Sequence, residues 1–123
     1  MGTERSHRDL AAWQEAMNLV EIVYHETVGF PKEEIFGLTA QTRRAVISVP
    51  SNIAEGAARN SSRELAQYLD IAIGSLAELE TQLELAVRLG YLAKTSAGPR
   101  QVHRVGKLIC ALRESVKSRI GQG

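Results

Sequence analysis

The feature that most constrains this chain is an apolar heptad step that runs without interruption between Ser61 and Gly90. Its members follow one another at alternating steps of four and three residues, so they lie on one helix face. They are Leu65, Leu69, Ala72, Leu76, Leu79, Leu83 and Ala86. Ser61 followed by Glu64 fits a capping box, in which each side chain satisfies the other's free backbone N–H. Gly90 suits a left-handed C-terminal cap. The pattern predicts a helix over residues 62–89 whose apolar stripe is buried by other helices.

Two further segments carry an apolar stripe of the same kind. The first, residues 9–28, ends at Gly29 and Pro31, and its stripe consists of Leu10, Trp13, Met17, Val20, Tyr24 and Thr27. The last, residues 99–119, begins with Pro99, which fits the first turn of a helix because no N–H donor is needed there. Its stripe consists of Val102, Val105, Ile109, Leu112 and Val116.

A fourth segment, residues 36–58, contains a proline well inside its helical pattern. Its core stripe consists of Leu38, Ala45, Val49, Ile53 and Gly56. Pro50 cannot donate a backbone hydrogen bond, and its ring presses on the carbonyl of Val46, so a kink is expected. Two shorter helices are the alternative. One bent helix is favoured because the apolar phase resumes after Pro50.

Together these segments predict an all-α fold: one domain over residues 1–123, folded as an antiparallel up-down-up-down four-helix bundle. With 44% apolar but only 5% aromatic residues, aliphatic side chains must fill the core. No apolar run approaches the roughly 18 residues of a membrane span, and MGTERSHRDL lacks the hydrophobic region of a secretory signal. We therefore expect a cytoplasmic protein. The sole cysteine, Cys110, cannot form an internal disulfide and is expected to pack against neighbours.

Apolar residues also occur on a second face of several helices. When residues are projected at 100° intervals, the side away from the core stripes carries Ala40, Ile47, Ala54, Ala58, Ile71, Gly74, Leu85 and Leu89. In the first helix, the apolar arc is widened by Ala12, Ala16, Leu19 and Val23. Scattered surface alanine is the ordinary explanation, but four large aliphatic residues favour a homo-oligomer interface. The periodicity does not give the subunit number.

The net charge of +1 hides an uneven distribution. Residues 9–28 carry four acids and no Lys or Arg, whereas residues 99–120 carry six basic residues and one acid. One interpretation is that neighbouring helices pair with each other. The other is a basic surface for nucleic acid, for which the candidate residues are Arg43, Arg44, Arg59, Arg63, Arg100, Arg104, Lys107, Arg113 and Lys117. For Arg43 and Arg44, a salt bridge to Glu78 or Glu55 is the alternative.

Other kinds of site have weaker support. Ser48, Ser51, Asn52 and Glu55, facing Ser75 and Glu78, predict a polar network that fixes helix register, with a small-ligand pocket as the alternative. The only Glu-x-x-His spacing is Glu4 to His7, so no metal or other cofactor is expected. No nucleophile elbow or glycine-rich phosphate loop is present, so no catalytic residue is assigned and an enzyme is not expected.

Three long segments match a known family in order and spacing. RDLAAWQEAM, FPKEEIFGLTAQTRRAVISVPSNIAEGAARNS and YLDIAIGSLAELETQLELAVRLGYL resemble the four-helix-bundle proteins related to the 23S ribosomal RNA intervening-sequence proteins. The resemblance implies a left-handed bundle, assembly into a homopentamer and a bacterial origin. A similar fold occurs in the accessory proteins of diversity-generating retroelements, which bind nucleic acid through a basic surface.

The leading functional hypothesis is a non-enzymatic oligomer that binds RNA or DNA through basic helix surfaces, with an association with ribosomes or ribosomal RNA implied by the resemblance. Few aromatic residues are available to stack on bases, which argues against specific recognition of single strands. The alternative is a scaffold or adaptor that binds another protein and has no role with nucleic acid.

Overall fold

The computed structural model of the chain describes residues 6–122, and within that range the fold is all-α with no strand. Its four helices are α1 (Ala11–Thr27), α2 (Leu38–Ala57), α3 (Ser62–Arg88) and α4 (Ala97–Gln122). Two short 3-10 helices, His7–Asp9 and Lys32–Glu34, precede α1 and α2. The ends of the four helices lie within three residues of the ranges expected from the sequence.

The caps of α3 follow from the residues that flank it. The Ser61 hydroxyl oxygen accepts a hydrogen bond of 3.2 Å from the backbone N–H of Glu64. At the other end, Gly90 has a φ of 79°, in the left-handed region that glycine adopts without steric cost. This conformation lets the Tyr91 N–H donate to the Ala86 carbonyl at 2.8 Å. The C-terminal cap is therefore present as predicted, and of the predicted capping box the half in which Ser61 accepts from the Glu64 N–H is present.

Helix α2 continues through its proline. Pro50 is buried and α2 runs unbroken from Leu38 to Ala57, so the alternative of two shorter helices is wrong. Polar residues beside the proline pair with each other: the Asn52 amide donates to the Ser48 carbonyl at 2.8 Å and to the Ser48 hydroxyl at 2.9 Å.

The same serine links α2 to α3. The Ser48 hydroxyl lies 2.7 Å from the Ser75 hydroxyl, and farther along, the Tyr68 hydroxyl donates to Glu55 at 3.2 Å. Helix α2 also packs on α1, α3 packs on α4, and α1 closes the set by packing on α4. Each helix therefore has two helical neighbours around a shared core.

The core contains the predicted stripes of α2, α3 and α4 for the most part, although Leu38, Leu65 and Leu112 are only half-buried. The stripe predicted for α1 was wrong except at Thr27, which is buried. The buried face of α1 carries Ala12, Ala16, Leu19, Val23 and Thr27. The predicted stripe is mostly half-buried, and Met17 is exposed. Both stripes have the same period, and the one with two alanines lies inward because small side chains let a helix approach its neighbours closely.

Candidate nucleic-acid interface

An open groove runs between the first half of α4 and α1. It has a volume of about 700 Å³ and is lined by Ile22, Ala97, Arg100, Gln101, His103, Arg104, Lys107 and Leu108; we call it the basic groove. The four basic side chains share one face of α4 because they follow one another at steps of three, one and three residues. Their opposite face buries Val102 and Val105, which fixes the basic residues toward solvent. The groove is therefore open and cationic, and no Phe, Tyr or Trp side chain lines it.

An acid on α1 lies beside the groove and contacts two of the residues that line it. Glu15 Oε1 accepts hydrogen bonds from Gln101 Nε2 at 2.8 Å and lies 3.3 Å from Arg104 Nε. Gln101 Nε2 also donates to the Glu15 backbone carbonyl at 3.0 Å. The hydrogen bond from Gln101, with smaller effects of Asn18 and Arg104, lowers the pKa of Glu15 below its usual value of 4.5. Glu15 is consequently ionised at neutral pH beside Arg104.

The remaining cations of the groove are less constrained. The His103 imidazole lies 3.9 Å from Glu80, a contact that becomes an ion pair only when the imidazole is protonated. Arg100 and Lys107 form no ion pair with any other residue in the range 6–121. Two cations in the groove are thus available to an anion, and Arg104 is shared with Glu15.

The start of α4, and with it the groove, is held by a carboxylate. Glu26 Oε2 on α1 accepts a hydrogen bond of 2.9 Å from the backbone N–H of Gly98. A carboxylate at this place satisfies a free donor of the first turn and complements the positive end of the helix dipole. A Cβ on residue 98 would collide with Glu26 Oε1, so glycine is required for this approach. The capped turn places Arg100 at the mouth of the groove.

Three other predicted arginines are engaged within the chain. Arg43 Nε donates to the Thr27 hydroxyl at 2.8 Å, and its guanidinium lies 4.5 Å from the centre of the Tyr24 ring. It binds α1 in this way and forms no bridge with Glu78 or Glu55 within the described chain. Arg59 and Arg113 are engaged by acids.

Arg59 donates to Glu55 at 3.1 Å and to the Tyr68 hydroxyl at 2.8 Å, and it lies 3.7 Å from Glu64. The charge interaction with Tyr68 and the hydrogen bond to Glu55 raise its pKa. Arg113 on α4 binds Asp70 on α3 and lies 4.0 Å from Glu114. These contacts tie the helices together and leave the two guanidinium groups less available to a partner.

The last three candidates, Arg44, Arg63 and Lys117, are exposed and have no ion-pair partner among residues 6–121. None of them lines the basic groove. Of the nine candidates, the structure therefore brings Arg100, Arg104 and Lys107 into one site. The sequence did not predict that Glu15 and Gln101 belong to this site. The only feature of the sequence that could have indicated them is their position beside apolar residues of α1 and α4.

The comparison with protein families decides where this fold belongs. The family described as 23S rRNA-intervening sequence protein has a model that matches residues 8–110. The chain belongs to this family. The match includes all of α1, α2 and α3 and the groove-lining half of α4. No curated protein matched the chain in a sequence search.

This member of the 23S rRNA-intervening sequence protein family also exposes apolar side chains. Ile47, Ile71, Leu85 and Leu89 of the predicted interface are exposed, and Ala40 and Ala54 are half-buried. A second groove, of about 360 Å³ between α1 and α2, is lined by His7, Trp13, Met17, Val20, Ile47, Pro50, Ser51 and Ala54. Three further exposed apolar residues, near the connection between α1 and α2, were not predicted as interface residues: Val28, Ile35 and Phe36. Phe36 is the most exposed of them, at 94%.

Metal-binding and membrane-spanning features have no counterpart in the described residues of this family member. No three metal-binding side chains come together there, and Glu4 of the Glu-x-x-His spacing lies outside the described residues. No helix in that range combines the length and hydropathy needed to cross a bilayer. Cys110 was expected to pack, but it is exposed because it lies one position beyond Ile109, past the edge of the core face.

Proposed function

We propose that this chain is a non-enzymatic homo-oligomer that binds RNA or DNA through the basic groove. The observation that carries the proposal is the clustering of Arg100, Arg104, Lys107 and His103 along one groove, with Arg100 and Lys107 unpaired within the described chain. Lys and Arg side chains bind phosphates and release counterions, a contribution that does not depend on base sequence. The groove lining has no Phe, Tyr or Trp side chain, which favours recognition of the backbone over stacking on bases.

The size of the groove indicates weak binding by each subunit. Arg100 and Lys107 are seven residues apart, which is about 10 Å along a helix that rises 1.5 Å per residue. Such a distance allows contact with only a few phosphates. Useful affinity then requires several subunits to bind the same nucleic acid, since linked sites raise the effective concentration of one another. The proposal therefore includes assembly.

For assembly, we propose a homopentamer whose subunits meet through Ala40, Ile47, Ala54, Ile71, Leu85 and Leu89. The exposure of four large aliphatic side chains on α2 and α3 supports this. We also propose an antiparallel, left-handed bundle with a kink at Pro50. Two links between α2 and α3 support the antiparallel arrangement, because Ser48 pairs with Ser75 and the later Glu55 pairs with the earlier Tyr68.

Membership of the family supports an association with ribosomal RNA, which we propose as one natural setting of the protein in the cytoplasm. In this setting a phosphate-binding oligomer would contact folded RNA through backbone geometry. Base-edge readout is not required by the groove, since its lining offers cations and few other polar groups.

The test of binding is a triple charge reversal, Arg100→Glu, Arg104→Glu and Lys107→Glu. Fluorescence anisotropy with RNA and DNA oligonucleotides at 50 and 200 mM salt should show salt-sensitive binding by the unmodified protein and none by the triple variant. With three phosphate contacts per site, the logarithmic salt slope should be about −2.7 on duplex DNA and about −2.1 on single strands for each engaged site.

The matched control is Lys32→Glu, Arg88→Glu and Arg119→Glu, which changes the net charge by the same amount outside the groove. This control should bind more weakly than the unmodified protein but far better than the groove variant. Equal binding by the two triple variants would show that total charge, and not the groove, is responsible.

Assembly is tested separately by Ile47→Asp and Leu85→Asp, with Ala111→Asp on the exposed face of α4 as the control. A subunit of 13.5 kDa should give a smaller particle in light scattering after either of the first two changes, and an unchanged particle after the control. A folded Ile47→Asp variant with unchanged mass would remove Ile47 from the interface.

The second candidate function is a protein scaffold. The apolar groove between α1 and α2 and the exposed Phe36 favour it, because contiguous apolar surface commonly marks a protein contact. An oligomer that binds neither RNA nor DNA at 50 mM salt would reject the nucleic-acid proposal and leave this candidate.

A further inference from the structure

The basic groove has an anion beside it, in contact with two of the residues that line it. Glu15 Oε1 lies 3.3 Å from Arg104 Nε, and the carboxylate is largely covered, with 23% of its side chain exposed against 65% for Arg104. A carboxylate and a phosphate bind guanidinium N–H groups in the same way. Glu15 therefore stands where one phosphate oxygen of a ligand would contact Arg104.

Glu15 is held at this place by contacts that do not involve Arg104. Gln101 Nε2 donates to both the Glu15 carboxylate, at 2.8 Å, and the Glu15 carbonyl, at 3.0 Å. Asn18 Nδ2 adds a longer contact of 3.5 Å from the next turn of α1. The carboxylate consequently stays beside the groove when the Arg104 side chain turns toward solvent.

We propose that Glu15 is an internal competitor for Arg104, which a nucleic-acid phosphate displaces on binding; this inference rests on the proposed function. The Glu15 carboxylate stays near the groove after Arg104 has turned away from it. A single phosphate therefore gains little binding free energy by replacing Glu15 as the partner of Arg104. A chain of phosphates that also contacts Arg100 and Lys107 gains two further charge-assisted hydrogen bonds. Glu15 thus favours polymeric phosphate backbones over isolated phosphate groups, an example of specificity obtained by repulsion.

The test is Glu15→Gln, which keeps an oxygen for Gln101 and removes the charge. Binding to the same RNA oligonucleotide should become roughly 1.5- to 5-fold tighter for each engaged site, the range of an exposed ion pair. Compared per engaged site, binding of a mononucleotide should tighten by a larger factor, so the per-site selectivity for the polymer should fall; equal factors for the two ligands would overturn the claim that Glu15 favours polymers. Glu114→Gln on α4 is the control, since it makes the same charge change outside the groove.

A double-mutant cycle separates competition from the general loss of an acid. In an Arg104→Ala background, Glu15→Gln should give little further gain, because no guanidinium remains to be released. An equal gain in both backgrounds would overturn the proposal. Weaker binding by Glu15→Gln would also overturn it, since Glu15 would then position Arg104 for the ligand.

The result also distinguishes this inference from the proposed function. If Glu15→Gln equals the unmodified protein while the triple groove variant loses binding, only the inference fails. If neither the unmodified protein nor Glu15→Gln binds RNA or DNA at 50 mM salt, both fail. Circular dichroism and thermal unfolding of each variant ensure that only folded proteins are compared.

Discussion

The crossing of α2 and α3 leaves no room for a side chain at Gly56. A Cβ added there would lie 2.7 Å from Tyr68 Cβ and 3.0 Å from Leu65 Cδ1. Carbon atoms in contact normally lie about 3.5–4.0 Å apart. The Leu65 methyl can turn away, but Tyr68 Cβ is fixed to the backbone of α3, so Gly56→Ala must push the two helices apart.

The size of the effect can be obtained by comparison with Gly74→Ala. Gly74 lies inside α3, and a Cβ there would meet nothing within 4 Å. In an open helix interior, Gly→Ala stabilises by about 0.5–1 kcal/mol. At Gly56 the same gain is opposed by an overpacking cost of about 1–3 kcal/mol. Because the propensity terms cancel between the two variants, Gly56→Ala should be less stable than Gly74→Ala by about 1–3 kcal/mol.

Urea unfolding followed by circular dichroism measures this difference directly. All proteins are compared at one subunit concentration, because Gly74 lies beside the proposed subunit contacts and assembly makes stability depend on concentration. In thermal unfolding, the gap should be about 4–12 °C for a chain of this size. The overpacking cost is at least about 1 kcal/mol. If the free energies of unfolding of Gly56→Ala and Gly74→Ala differ by less than about 0.5 kcal/mol, the close crossing of α2 and α3 is wrong.

Two further predictions concern the carboxylates of α1. Gly98→Ala should have a lower urea midpoint than Gly74→Ala, because both changes gain helix propensity but only the methyl group at residue 98 displaces Glu26 from the α4 N-terminus, at a cost of about 0.5–2 kcal/mol for a lost cap; equal midpoints would argue against this cap. The fold lowers the pKa of Glu15, so the ionised carboxylate stabilises the folded protein at pH values above its usual pKa of 4.5. This contribution is lost as the pH falls below that value. The stability of the unmodified protein relative to Glu15→Gln should therefore be greater at pH 7 than at pH 3, and a difference independent of pH would contradict the pKa.

Much of the fold is predictable from the sequence because local signals agree with one another. In α3 the heptad step, the Ser61 cap and the left-handed Gly90 all indicate one helix, and the structure has that helix. The failure at α1 has a physical cause. Its apolar arc is wide enough to contain two stripes of equal period, and periodicity does not tell whether Trp13 or Ala12 lies inward. That choice depends on how closely α2 and α4 approach, which is a property of the assembled bundle.

The candidate site was harder to predict, because the availability of a cation depends on residues distant in sequence. Arg43 and Arg44 are adjacent, yet Arg43 binds Thr27 on α1 whereas Arg44 has no ion-pair partner in residues 6–121. Arg113 is bound by Asp70, 43 residues earlier. A count of basic residues treats all of them alike. Once the arginines bound within the chain are set aside, the cations of α4 without an ion-pair partner in residues 6–121 are Arg100 and Lys107 at the groove and Lys117 and Arg119 outside it. The groove variants, and not the total charge, are therefore the decisive comparison for nucleic-acid binding.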